Sequence, residues 1–213
     1  MPSIFKVLPL TFVMIAGPQI ISAVFLAMSE KWKKNSAAFV AGSLITVTFF
    51  VTAAYVLVRA LRKTTGGTAP KLSDKAITTV ILVLLLAAAF FVFHRRKTAE
   101  PPKWMGALQT ATPKLSFKLG LLLLGVFPTD ILTSTAVGFH LAREGSPWYY
   151  CLTFVLVTTF LIALPGLLVL VMGHRAVEAL PKVRDWMNAN SWIVSEAVIA
   201  LFVALQVNTL IGS

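Results

Sequence analysis

Gly125-Val126-Phe127-Pro128-Thr129-Asp130 stands inside a long apolar run, Leu115 to Leu141. A proline in a helix interior removes a hydrogen bond and clashes with the carbonyl four residues back. A carboxylate two positions later is costly at membrane depth, and ionisable groups kept there mark functional sites by default. The run is long enough for a spanning helix, which needs roughly 20 residues. The stretch therefore reads as a spanning helix broken near its middle, with Asp130 in the first turn of its second half.

Working outward, 57% of the 213 residues are hydrophobic and only 13% are charged, and the mean hydropathy is +0.83. Soluble domains carry about 25% charged residues, so the class is an all-α integral membrane protein. Six apolar runs can be marked. The first, Phe5 to Met28, is broken at Gly17-Pro18 and is too long for a signal core, so it reads as a retained helix. The second is Ala37 to Leu61, the third Ala76 to Phe93 and the fourth Leu115 to Leu141. The fifth, Trp148 to Met172, contains Pro165, and the sixth, Ser191 to Ile211, carries Glu196, Gln206 and Asn208.

The formal net charge of +11 lies mostly between these runs. That placement points to lipid headgroups and topology rather than nucleic acid. Lys31, Lys33, Lys34, Arg95, Arg96, Lys97, Lys103, Lys114, Lys118, Arg175, Lys182 and Arg184 fall on one face, 12 of the 19 cations. Lys6, Arg59, Arg62, Lys63, Lys71, Lys75 and Arg143 fall on the other. The positive-inside rule places the first face in the cytoplasm, hence a multi-pass cell-membrane protein with both termini extracytoplasmic. Thr64 to Leu72, rich in Gly, Thr and Pro, is the expected hinge. Pro101-Pro102-Lys103-Trp104 opens either an amphipathic segment on the membrane surface or an ordinary loop. In the first case Arg95, Arg96, Lys97, Lys103 and Trp104 form a membrane-interface set.

Aligning Pro18 with Pro128 fixes an offset of 110 residues. Val47-Thr48 then falls on Val157-Thr158, Phe50 on Phe160 and Ala53 on Ala163. Three spans separate the two broken helices, so the second copy is inverted. Proline-interrupted spans at corresponding positions of inverted halves are the sequence pointer to a transporter site near the midplane. The expected architecture is six helices in two inverted three-helix repeats, 1–94 and 115–213, joined by a basic connection, 95–114.

Several short motifs carry a resemblance. They are Gly17-Pro18 and Lys33-Lys34-Asn35-Ser36-Ala37-Ala38-Phe39-Val40-Ala41-Gly42 in the first half. In the second half they are Pro102-Lys103-Trp104-Met105 through Thr112-Pro113, and Leu119-Gly120. Met172-Gly173 with Arg175, and Leu180 through Trp186-Met187-Asn188-Ala189-Asn190, complete the set. With these the chain resembles the glycopeptidolipid- and sulfolipid-addressing proteins of the lysine-exporter superfamily. The resemblance implies six helices, inverted repeats and export of amino acids, cations or, in this branch, cell-envelope glycolipids. At the second break the family commonly has Asn-Pro-Lys-Asn, where this chain has Phe127-Pro128-Thr129-Asp130. The proline is kept and the charge of the site is changed.

Asp130 admits two readings, the cap of a broken helix or a proton carrier or cation ligand lining a cavity. Unpaired N–H groups and the positive dipole end of the second half-helix would stabilise its ionised form. Thr129 and Pro128 belong to the same turn. Thr133 and Ser134, three and four residues on, share the face of Asp130 and extend a polar track or serve helix packing. In the first half Pro18, Gln19 and Ser22 complete the site by pseudosymmetry. Thr46, Thr48, Thr52, Thr158 and Thr159 face it or pack. Glu196 snorkels, or partners Asp130 or a lysine. His94, His140 and His174 have no metal-ligand spacing, so no metal and no cofactor are expected.

No nucleotide, hydrolase or metalloprotease motif occurs, so no enzyme is expected. The lone Cys151 excludes a two-thiol redox cycle. The leading expectation is a secondary transporter or export component for a cell-envelope lipid, with Asp130 coupling to a proton or cation. An exporter of a small cation or amino acid, and a non-transporting adaptor of a lipid-export machinery, are the alternatives. The partners expected are membrane lipids, the lipid or small-molecule substrate, the coupling ion and a second copy in a homodimer.

Overall fold

The computed structural model describes residues 4–15, 18–64, 108, 110–189, 200, 203, 204 and 207, and their regular structure is helical. The elements are α1 Ile4–Val7, α2 Leu10–Ile15, α3 Pro18–Ala27, α4 Trp32–Thr64, α5 Pro113–Val126, α6 Pro128–Arg143, α7 Tyr149–Met172 and α8 His174–Ala189. Among the described residues α4 and α7 are each long and apolar enough to cross a membrane, and α5 with α6 makes a third if the bent pair counts as one span. The expected third run, the Gly/Thr/Pro-rich stretch beyond Thr64, and Arg95, Arg96, Lys97, Lys103 and Trp104 lie outside the described residues. So does the sixth run apart from Ala200, Val203, Ala204 and Val207, and with it Glu196, Gln206 and Asn208.

Proline chemistry sets the element boundaries. Thr112, extended at φ −90° and ψ 156°, caps α5 by accepting from the Leu115 N–H at 3.3 Å, with Pro113 next, where its missing N–H is harmless. Phe127, at φ −69° and ψ 121°, both ends α5 and precedes Pro128 at the start of α6. The axes on either side differ by 69°. The first run carries a break that the sequence analysis did not mark. Pro9 separates α1 from α2, and the N–H groups of Thr11 and Phe12 fall back to the carbonyls of Leu8 and Pro9 at 3.0 and 3.2 Å, while Ala16 and Gly17 of the expected break lie outside the described residues. Pro165, by contrast, is carried inside a continuous α7.

The basic stretch after the fifth run, expected as a loop, is the helix α8. Gly173 ends α7 with a positive φ of 55°, which glycine adopts without strain. Ala176 and Leu180, one turn apart, then bury against Val24, Ala27 and Val169 beside Trp32. This apolar pair at helical spacing is what folds the segment back onto α3. The α6–α7 hairpin closes by a Schellman turn. Ser146 N–H reaches Leu141 O at 3.0 Å and Gly145 N–H reaches Ala142 O at 3.2 Å, with Gly145 at φ 69°.

α4 is the hub, and glycines let it approach its neighbours. A Cβ at Gly42 would collide with the Phe117 carbonyl of α5, and a Cβ at Gly120 would collide with the Phe39 carbonyl of α4. Gly138 of α6 lies likewise against the Val51 carbonyl, and Gly166 of α7 against Ser36. Without a hydrophobic drive between helices in lipid, such small-residue crossings supply the packing. Thr46 of α4 bridges to Leu121 O at 3.2 Å. Because Gly42 meets α5 near Gly120 and Val51 meets α6 at Gly138, α4 runs parallel to α5 and α6. Asn35, fully buried, ties the start of α4 to Ser29 Oγ and Ala111 O, both at 2.8 Å. Thr64 and Thr110 consequently lie at opposite ends of the bundle. One end holds Lys33, Lys34, Lys114, Lys118 and Arg175, and the other holds Arg59, Arg62, Lys63 and Arg143.

Candidate functional site

The two proline breaks face each other. Asp130, in the first turn of α6, is 1% exposed, and Gln19, in the first turn of α3, is 2% exposed. Gln19 Nε2 donates a hydrogen bond to Asp130 Oδ2. A second contact lies beside it, from Ser134 Oγ to Met14 Sδ at 3.7 Å. Met14 precedes Gln19 while Ser134 follows Asp130, so the two broken helices run antiparallel at this level. Asp130 also sits midway along the chain between the glycine crossings at Gly120 and Gly138. The contact is therefore deep within the helix layer.

Local structure explains why these two side chains meet. Pro18 and Pro128 are the first residues of α3 and α6, so Gln19 and Asp130 each lie in the first turn of a helix. Asp130 thus stands at the positive dipole end of α6. Asp130 N–H and Ile131 N–H use the Phe127 carbonyl at 3.1 and 3.2 Å. The carboxylate is left to the Gln19 amide. Gln19 Oε1 is buried with no hydrogen-bond partner among the described residues.

The other expected site residues divide. Ser22 is buried but its hydroxyl returns to Pro18 O at 2.6 Å, and Thr133 returns to Thr129 O at 2.7 Å. These hydroxyls satisfy their own helices and extend no polar track. Thr129 is exposed, turned away from the Gln19 contact, because it and Asp130 are adjacent on a helix and point about 100° apart. Thr46 packs across the α4–α5 crossing. Thr158 is wholly buried in α7, and His140 lies 3.9 Å from Glu144 near the end of α6. Two residues that the sequence reading gave no individual role matter here. Met14 supplies the second contact between the breaks, and Asn35 fixes the register of α4 against α5. Asn35 had a visible signal, an amide at the mouth of an apolar run.

The family model of Sap, the sulfolipid-1-addressing protein, matches residues 7–210. The chain belongs to that family. The match runs through both broken helices and includes Gln19 and Asp130. Membership of that family suggests a role in lipid export or addressing. No curated protein and no solved structure matches the chain.

Proposed function

We propose that this family member is a secondary export component for a cell-envelope lipid, in which the Gln19–Asp130 contact couples the two halves to a proton or cation. The single observation that carries the reading is a buried carboxylate held by an amide across two opposed helix breaks. Six spans in two inverted repeats, as in the lysine-exporter superfamily, belong to the same proposal. The antiparallel meeting of the broken helices supports it. So does the position of Thr64 and Thr110 at opposite ends of the bundle.

Gln19 suits a coupling role because its amide both donates and accepts. Toward an ionised Asp130 it donates from Nε2. Toward a protonated Asp130 it accepts at Oε1, the atom now without a partner. Turning the amide over thus keeps α3 and α6 linked in both states. Protonation also removes the charge that the Gln19 N–H and the start of α6 favour, which loosens the hold between the halves. Two states differing in this way are what an alternating-access cycle requires.

The test uses the full chain in liposomes with a fluorescent anionic lipid and an imposed proton gradient. Asp130→Asn keeps the shape and a hydrogen bond to Gln19 but cannot take up a proton. Transbilayer movement should fall to the protein-free rate while far-UV circular dichroism and elution volume stay those of the wild type. Movement at the wild-type rate in the folded variant would overturn the role of Asp130.

A further inference from the structure

A second feature lies at the far end of α4. A cavity of about 590 Å³ opens there, lined by Tyr55, Val56, Arg59, Ala60, Arg62 and Lys63. Among these described residues three are cations and none is acidic. Tyr55 is anchored, its hydroxyl donating to Ser146 O at 2.7 Å, and the Arg59 guanidinium rests over its ring at 5.6 Å. Arg62 is committed to the end of α6, donating to Ala142 O at 3.2 Å and Arg143 O at 2.8 Å. Arg59 and Lys63 are exposed at the rim.

Depth and direction give this groove a meaning. Arg59 lies about 16 Å and Lys63 about 22 Å along the axis from Thr48, the midpoint of α4. The hydrocarbon half-thickness is about 15 Å, so with Thr48 at the bilayer midplane both cations stand at headgroup level. Below them Val56, Phe49 and Ile45 are 55%, 64% and 52% exposed. At about 100° per residue, Ile45, Phe49, Val56, Ala60 and Lys63 fall within about 60° of arc. One stripe of α4 thus runs from exposed apolar side chains up into a cationic groove.

We infer that this groove binds the headgroup of an anionic membrane lipid, its phosphate or sulfate held by Arg59 and Lys63 and its acyl chain laid along Val56, Phe49 and Ile45. The charge selects an anion and the stripe selects an amphiphile over a free ion. Tyr55 and Arg62 form a fixed floor because both are tied to the α6–α7 hairpin. The inference stands whether or not Asp130 couples transport.

The experiment is native mass spectrometry of the full chain in detergent, titrated with dioleoylphosphatidylglycerol, a sulfated glycolipid or dioleoylphosphatidylcholine. Inorganic phosphate and sulfate serve as competitors at constant ionic strength. The two anionic lipids should be retained and phosphatidylcholine should not. Arg59→Gln with Lys63→Gln should weaken retention about twenty-fivefold, each interfacial cation contributing about fivefold. Asp130→Asn should bind like the wild type. Both exchanged cations are exposed, so the unfolding midpoint should stay unchanged and report that the double variant is folded. Undiminished lipid retention by the double variant, equal retention of phosphatidylcholine, loss of binding in Asp130→Asn, or displacement by phosphate or sulfate at the lipid's own concentration would each overturn the inference.

Discussion

Replacing Gly120 by alanine puts a methyl group where the backbone of α4 already lies. The new carbon would meet the Phe39 carbonyl inside contact distance and the Ser43 N–H at 2.9 Å. Both are backbone atoms of a helix, so neither can rotate aside. The crossing must part, and a gap of even 0.5–1 Å forfeits about a quarter to a half of each dispersion contact across it. Overpacking of this kind costs about 1–3 kcal/mol. The Thr46 bond to Leu121 O, at 3.2 Å, stretches too, and interhelical bonds in membranes average about 0.6 kcal/mol. Against this stands the helix-propensity gain of alanine over glycine, at most about 1 kcal/mol. The net expectation is destabilisation by about 1–3 kcal/mol. Gly42→Ala should behave alike, since its Cβ meets the Phe117 carbonyl in the same crossing. The double variant should lose less than the sum, because one parting relieves both clashes. Gly125→Ala is the control, its nearest neighbour being Thr46 Cγ2 at an ordinary 3.4 Å. Unfolding in mixed micelles of increasing dodecyl sulfate fraction, followed by far-UV circular dichroism, measures all four. If Gly120→Ala unfolds at or above the dodecyl sulfate fraction of the wild type, the close crossing of α4 and α5 is wrong.

Two further outcomes follow from the geometry. Gln19→Ala should cost about 1.5–3 kcal/mol, the range for a bond to a charged group, because it strands the buried Asp130 carboxylate. Adding Asp130→Ala should recover much of that loss, and strictly additive losses would mean the contact has no energetic weight. Arg62→Ala removes two donors from the end carbonyls of α6 and should cost about 1 kcal/mol, with faster hydrogen exchange at Gly145 and Ser146. Unchanged exchange there would refute a capping role for Arg62.

The amino-acid sequence alone determines where this chain breaks and turns. Pro18 and Pro128 lack a donor in any environment, so both breaks are legible without knowing their neighbours. The Gly145-Ser146-Pro147 turn and the Thr112-Pro113 start of α5 are local chemistry of the same sort. The run of apolar residues marks the membrane class, and Asp130 is conspicuous because a carboxylate there is costly. The partner of each face is another matter. In a spanning helix lipid-facing and protein-facing positions are equally apolar, so hydrophobic period does not say which side is buried. Nothing in the sequence therefore singles out Gly42, Gly120 and Gly138 as crossing points, or separates Thr129, which turns outward, from Gln19, which meets the carboxylate. The second break at Pro9 and the helix α8 carried local signals, a proline and an apolar pair at helical spacing. Only packing shows what the latter does, since Ala176 and Leu180 bury a face that α3 supplies. The sequence places an acid at a break, and the tertiary structure decides that an amide from the opposite break, and no hydroxyl of its own helix, holds it.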